Sequence, residues 1–176
     1  MNTLSAQIAP VVKLSLTLPQ NIHDGLQREA KTMRRETSEH IQRILAEHAI
    51  KAELLPEEDV MRLEKTWSLV AQAVDAAQRI CRNGGFSSSI TLDAIRECMK
   101  DPRWVADYRE VVGDDIYKNG NPRKGPVNRE IGYRIRAGIG GTVEKLPNGN
   151  AAVAKVLGEI IQSYTPMKSF DPTAVA

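Results

Sequence analysis

The stretch from Val11 to Pro19, VVKLSLTLP, alternates apolar and polar residues and constrains the fold more than any other part of the chain. Such alternation is typical of a β-strand with one buried face, because successive side chains of a strand point to opposite sides. Helical patterns follow it directly, and the next strand-like patterns lie beyond residue 142. A strand needs a hydrogen-bonding partner on at least one edge. The simplest partner for this strand is the same strand of a second copy of the chain.

Pairing of this strand with its copy predicts a two-stranded ribbon with two different faces. The aliphatic face consists of Val12, Leu14, Leu16 and Leu18. The opposite face presents Lys13, Ser15 and Thr17 from each copy to the solvent. A two-stranded β-ribbon has the dimensions to enter the major groove of B-form DNA.

Two amphipathic helices are predicted directly after the strand. The first begins near Pro19, and its apolar face consists of Ile22, Leu26, Ala30 and Met33. Arg34 to Thr37 is predicted as a tight connection. The second helix has Thr37 or Ser38 as its candidate N-cap. The apolar face of the second helix consists of Ile41, Ile44, Leu45 and Ala49.

This strand–helix–helix segment resembles the ribbon-helix-helix DNA-binding proteins, the group that contains the Arc, MetJ and CopG repressors. The resemblance rests on the strand V-K-L-S-L-T-L-P, the helix N-I-H-D-G-L-Q-R-E-A-K-T-M, the turn R-R-E-T and the helix S-E-H-I-Q-R-I-L-A-E-H. It covers about residues 11–52, roughly a quarter of the chain. The chain departs from the family pattern at Arg34, where Gly is frequent, at Glu36, where a small hydroxyl residue is frequent, and at His40, where an apolar residue is usual.

The resemblance implies a homodimer formed through strand 11–18, with higher-order assembly on DNA as a further expectation. It implies that Lys13, Ser15 and Thr17 contact base edges of double-stranded operator DNA. It also implies that DNA phosphates meet the turn and the start of the second helix, at Arg34, Arg35, Thr37 and Ser38.

The whole chain is predicted to be mainly α-helical. We expect a flexible tail over residues 1–10, the ribbon-helix-helix module over 11–52, a mainly helical C-terminal domain over 53–165 and a loose tail over 166–176. Pro147-Asn148-Gly149-Asn150 lies between two weakly alternating runs and predicts a β-hairpin. The C-terminal domain resembles no family that we identify.

Charge is distributed unevenly along the chain. Residues 1–52 contain seven Lys and Arg against five Asp and Glu, residues 53–117 eight against thirteen, and residues 118–176 nine against four. The basic last third indicates either a second DNA-contacting surface or an ordinary solvated face. The candidates for secondary DNA contacts are Arg123, Lys124, Arg129, Arg134 and Arg136.

Several classes of function are not expected from this sequence. Cys81 and Cys98 form no CxxC motif or Cys/His cluster, so no metal site is predicted. The sequence has no glycine-rich phosphate loop with Lys and no nucleophile motif, and neither an enzyme nor a cofactor is predicted. No run of apolar residues approaches the length of a membrane span, and no signal peptide is recognisable. A cytoplasmic location without membrane contact is therefore expected.

The expected function is therefore sequence-specific binding of double-stranded DNA by a homodimeric regulator of transcription. Genes of plasmids or other mobile elements, such as those for conjugative transfer, are candidate targets. Two alternatives remain open. One is a plasmid partition or relaxosome accessory DNA-binding protein. The other is an antitoxin, whose ribbon-helix-helix domain binds its own promoter while the C-terminal part neutralises a toxin.

Overall fold

The computed structural model describes residues 12–113 and 115–175. Within these residues the fold is mainly helical, as predicted, and the chain divides into two compact units after Pro56. The first unit contains α1 (Gln20–Thr32) and α2 (Thr37–Lys51). The helices of the second unit are α3 (Glu57–Arg82), α4 (Ile90–Cys98), α5 (Pro102–Val112) and α6 (Lys124–Gly138).

The segment expected to form the N-terminal strand has no secondary structure in the single chain. Residues 12–19 are assigned to no strand, and Val11 lies outside the described residues. A strand is defined by its hydrogen-bonded ladder, and the described part of one chain offers these residues no partner. The structure of one chain therefore does not show the ribbon itself.

Helices α3 to α6 surround the hydrophobic core of the second unit. Helix α3 packs against each of α4, α5 and α6. Trp104 is 1% exposed, and its ring stacks on that of Tyr108 with 5.3 Å between centroids. The Tyr108 hydroxyl donates to Asn128 Oδ1 at 2.8 Å, and burial raises the pKa of Tyr108 to about 12. Trp67, the other tryptophan of the chain, is only half-buried.

Local signals in the sequence explain where the helices of the second unit begin and end. Asp101 caps α5 by accepting from the N–H of Arg103 at 2.8 Å, and Pro102 occupies the first helical position. Gly113 ends α5 with φ of 69°, and a Cβ there would lie 2.3 Å from Arg123 Nη1. Helix α6 begins at Lys124.

The β-structure of the second unit consists of two short antiparallel pairs. Strand β1 (Thr142–Val143) pairs with β4 (Met167–Ser169), and β2 (Ala154–Lys155) pairs with β3 (Ser163–Tyr164). The predicted hairpin is present only next to its turn, where Lys145 bridges Ala151. The strands on either side of the turn pair elsewhere.

Residues 166–175, expected to belong to a loose tail, take part in this fold. They contain β4 and a 3-10 helix, Pro172–Ala174. Met167 and Val175 are buried, and Arg82 Nη1 donates to the carbonyl of Val175 at 3.0 Å. Apolar side chains at both positions explain why this segment packs against the core.

Candidate nucleic-acid interface

Residues 12–19 expose both polar and aliphatic side chains, which alternate along the segment. Lys13, Ser15 and Thr17 are exposed, as base-contacting residues must be. Three of the four aliphatic residues of the segment are exposed as well, with Val12 at 83%, Leu14 at 71% and Leu16 at 53%, whereas Leu18 is half-buried. Exposed large aliphatic side chains at alternate positions leave a row of apolar surface uncovered in the single chain.

Helices α1 and α2 pack against each other but bury little. Among the described residues of the first unit, only Ala30 and His40 are buried. Half of the residues predicted to form the two apolar faces are exposed, namely Ile22, Met33, Ile44 and Leu45. A unit of this size with two helices cannot enclose a core of its own. The exposed aliphatic segment directly precedes α1 in the chain, so both sets of exposed apolar side chains belong to the same unit.

His40 is the one polar side chain buried among the described residues of this unit. His40 lies near the start of α2 and is only 2% exposed. Its Nε2 lies 3.2 Å from Oε2 of Glu29 on α1. The position at which the resembled family has an apolar residue is therefore an inter-helix contact here. A carboxylate within this distance compensates part of the cost of burying an imidazole.

Both helices of the first unit end in the same hydrogen-bonded motif. After α1, the N–H of Arg34 donates to Lys31 O at 3.1 Å and that of Arg35 to Ala30 O at 2.8 Å. This is the Schellman arrangement, which normally places Gly in the left-handed position. Arg34 occupies that position with φ of 51°, and Glu53 does so after α2 with φ of 55°. The family's frequent Gly at Arg34 thus corresponds to a left-handed backbone in this chain.

We expect replacement of Arg34 by Gly to separate stability from DNA binding. The change relieves a left-handed strain of about 1–2 kcal/mol and costs about 0.5–1 kcal/mol of chain entropy, so urea unfolding should show stabilisation of about 0.5–1 kcal/mol. If Arg34 contacts a DNA phosphate in each copy of a homodimer, as the resemblance implies, its loss should lower the slope of log affinity against log salt by about 2 per dimer. Glu53→Gly is the matched control, since it should stabilise similarly and leave the slope unchanged. An unchanged slope for Arg34→Gly would exclude the phosphate contact.

The start of α2 differs from the prediction at its cap. Glu36, with φ of −68° and ψ of 146°, is the N-cap, and its side chain makes no capping hydrogen bond. The expectation that Thr37 or Ser38 is the N-cap is wrong, because both already lie in the first turn. The first-turn N–H groups of a helix have no intrahelical acceptor and favour an anion. Thr37 and Ser38 add hydroxyl donors at that position, while Glu36 adds an opposing negative charge.

The two turn arginines lie directly before this helix start. Arg34 is exposed, and Arg35 is half-buried with its Nη1 4.0 Å from Sδ of Met33. The structure thus brings all four predicted phosphate-contacting residues into one stretch of five residues, 34–38. It places the predicted base-contacting residues on the separate exposed segment 12–19.

The basic residues predicted as secondary DNA contacts fall into two groups in the second unit. Lys124, Arg129 and Arg136 line one pocket along α6. Arg123 packs over Gly113, and Arg134 lies half-buried on α6. The five residues therefore do not form a single exposed face.

Comparison of the chain with protein-family models, with curated proteins and with solved structures finds no match. In residues 12–113 and 115–175, no three His, Cys, Asp or Glu side chains come together as a metal-binding group. None of the helices in these ranges has both the length and the apolar character needed to cross a bilayer.

Proposed function

We propose that the chain is a sequence-specific double-stranded DNA-binding regulator of transcription that acts as a homodimer. Residues 11–18 of two copies pair as an antiparallel ribbon, which enters the major groove. Lys13, Ser15 and Thr17 contact base edges, and the stretch 34–38 contacts phosphates on either side.

The exposed alternation of residues 12–17 is the observation on which this proposal depends. Leu14 and Leu16 face water in the single chain although each would contribute about 1.5–3 kcal/mol if fully buried. A second copy would supply two things that the single chain lacks. Its residues 11–18 would be a hydrogen-bonding partner for the segment, and its surface would bury the exposed apolar side chains of α1 and α2. Pairing through this segment leaves Lys13, Ser15 and Thr17 on the opposite face, where a groove can receive them.

The predicted base-contacting residues contribute little positive charge to DNA binding. Lys13 is the one charged member of the predicted base-contacting set, and lysine donates well to guanine O6 and N7. Most of the affinity must come from phosphate contacts, which supply the salt-dependent part of DNA binding. Arg34, Arg35 and the open start of α2 are the groups placed to provide it.

The folded second unit helps to choose between regulation of transcription and the antitoxin hypothesis. Its core of buried side chains around Trp104 and Tyr108 differs from the short, unfolded tail by which antitoxins usually hold a toxin. We therefore place transcriptional regulation before the antitoxin hypothesis. A partition or relaxosome accessory role uses the same ribbon, and reporter assays at the bound sites separate it from regulation.

We expect the double variant Lys13→Ala, Ser15→Ala to lose sequence preference while keeping non-specific affinity. An operator is first selected from a pool of randomised duplexes, and fluorescence anisotropy then compares the operator with scrambled DNA. Operator affinity should fall at least about tenfold, because each good base contact contributes roughly 1–3 kcal/mol of discrimination.

Lys31→Ala is the matched control, since it removes one exposed lysine from the same unit and should leave the ratio of the two affinities unchanged. Equal operator affinity of the wild type and the double variant would exclude residues 13–17 as the base-contacting segment. Failure to select any duplex from the pool would reject the proposed function as a whole.

A further inference from the structure

The second unit contains a half-open pocket of about 800 Å³. One wall is the face of α6 that includes Arg129, Tyr133 and Arg136. The loop around Asn121 and the strand segment around Tyr164 form the other sides. This volume lies within the range of sites that enclose small molecules, about 300–1,000 Å³.

The charge of the lining is entirely positive. Lys124, Arg129 and Arg136 line the pocket, and none of the lining residues is acidic. Within the described ranges, neither arginine has a carboxylate at ion-pair distance. The Arg136 guanidinium stacks on the Tyr133 ring, 5.1 Å from its centroid, which holds it along the wall. Arginines arranged in this way bind carboxylates and phosphates through paired hydrogen bonds.

Lys124 is the most unusual member of the lining because it is 4% exposed. Its Nζ donates to the backbone carbonyl of Lys118 at 3.1 Å, which uses one of the three ammonium donors. Burial lowers the pKa of Lys124. A buried ammonium is costly; the Asp115 carboxylate offsets part of that cost, and a bound anion would offset more of it.

The remaining lining is suited to an organic body rather than to a bare ion. The ring of Tyr164 and the side chains of Val143, Ile161 and Met167 contribute aromatic and aliphatic surface. Gly125 and Gly132 lie seven residues apart on α6, at the same spacing as Arg129 and Arg136, and leave room along the wall. No atom lies within 4 Å of a Cβ built at Gly125.

We propose that this pocket binds a small organic oxyanion, with Lys124, Arg129 and Arg136 contacting its carboxylate or phosphate oxygens. The alternative that these residues contact duplex DNA is less favoured. Protein–DNA interfaces extend over about 1,000 Å² or more of protein surface. Here one of the three cations is buried inside a concave site.

The test is isothermal titration of the full-length protein with three probes, namely citrate, pyrophosphate and ADP, with NaCl added to keep the ionic strength constant. Citrate tests carboxylate recognition, pyrophosphate tests phosphate recognition, and ADP adds an organic body. We expect at least one probe to bind with a Kd below about 1 mM. Arg129→Gln, Arg136→Gln should weaken that binding at least about tenfold, since it removes both charge-assisted contacts.

Arg103→Gln is the matched control, because it removes an exposed arginine of α5 that does not line the pocket, and it should bind like the wild type. The single change Arg129→Gln, at an exposed position, preserves the test if the double variant fails to fold. The proposal is overturned if no probe binds below about 1 mM, or if the pocket variants bind every probe as the wild type does. It is also overturned if these variants lose affinity for duplex DNA but not for the probe. Binding of the three probes does not depend on residues 12–38, so failure of this proposal is distinguishable from failure of the proposed DNA-binding function.

Discussion

Replacement of Leu14 and Leu16 by serine is expected to convert the proposed homodimer to a monomer and to abolish binding to operator DNA. A dimer contains two copies of each leucine, which are 71% and 53% exposed in the single chain, and burial of that remaining surface would contribute about 4–7 kcal/mol. That range is about half of the association free energy of a micromolar to nanomolar dimer, about 8–12 kcal/mol. Serine at both positions keeps the polar face intact but removes the surface that holds the two copies together.

Sedimentation equilibrium measures the mass, and fluorescence anisotropy measures the affinity for the selected operator. The matched control is Leu54→Ser, Leu157→Ser, which also removes two exposed leucines but lies outside the predicted ribbon. It should remain dimeric and bind DNA normally. A dimeric Leu14→Ser, Leu16→Ser variant would contradict the proposed ribbon.

The second large effect is expected from Trp104→Ala in the core of the second unit. Removal of a fully buried indole costs about 3–5 kcal/mol, from lost burial and from the cavity that remains. The change also removes the stacking partner of Tyr108 and the Nε1–H bond to Leu69 O, which measures 3.4 Å. Urea unfolding of the second unit, followed by far-ultraviolet circular dichroism, should show a midpoint shifted strongly to lower urea.

Trp67→Ala provides the comparison at the other tryptophan. Trp67 is only half-buried, so its removal should destabilise the unit by roughly half as much or less. Equal midpoints for the two variants would contradict the packing described around Trp104.

The helices could be predicted because their signals are local. Pro19 before α1, the acids Glu57 to Asp59 in the first turn of α3 and the Asp101-Pro102 pair before α5 all act within a few residues of the helix ends. The apolar spacing of these helices could be recognised for the same reason. Capping by Thr37 or Ser38 could not be resolved, since it depends on a shift of one residue in the backbone.

Features that depend on distant parts of the chain could not be predicted from the pattern. The Asn148-Gly149 turn is local and forms, but β1 selects its partner some twenty-five residues away, at β4. The basic residues of α6 form a charge run that is visible in the sequence, yet the pocket requires the strand segment around Tyr164 to close it. Gly125 and Gly132, which lie seven residues apart, mark the face of α6 that lines the pocket.

The small core of the first unit would make the amount of functional protein depend steeply on the concentration of the chain in the cell. Among residues 12–56, which the structure describes, only Ala30 and His40 are buried within one chain. On the proposed function, such a unit completes its core by pairing, so its stability is inseparable from chain concentration. At low expression most copies are single chains, and the amount of competent regulator rises with the square of the total. Promoter occupancy would then respond to expression with a threshold, which a monomeric DNA-binding protein of equal affinity lacks.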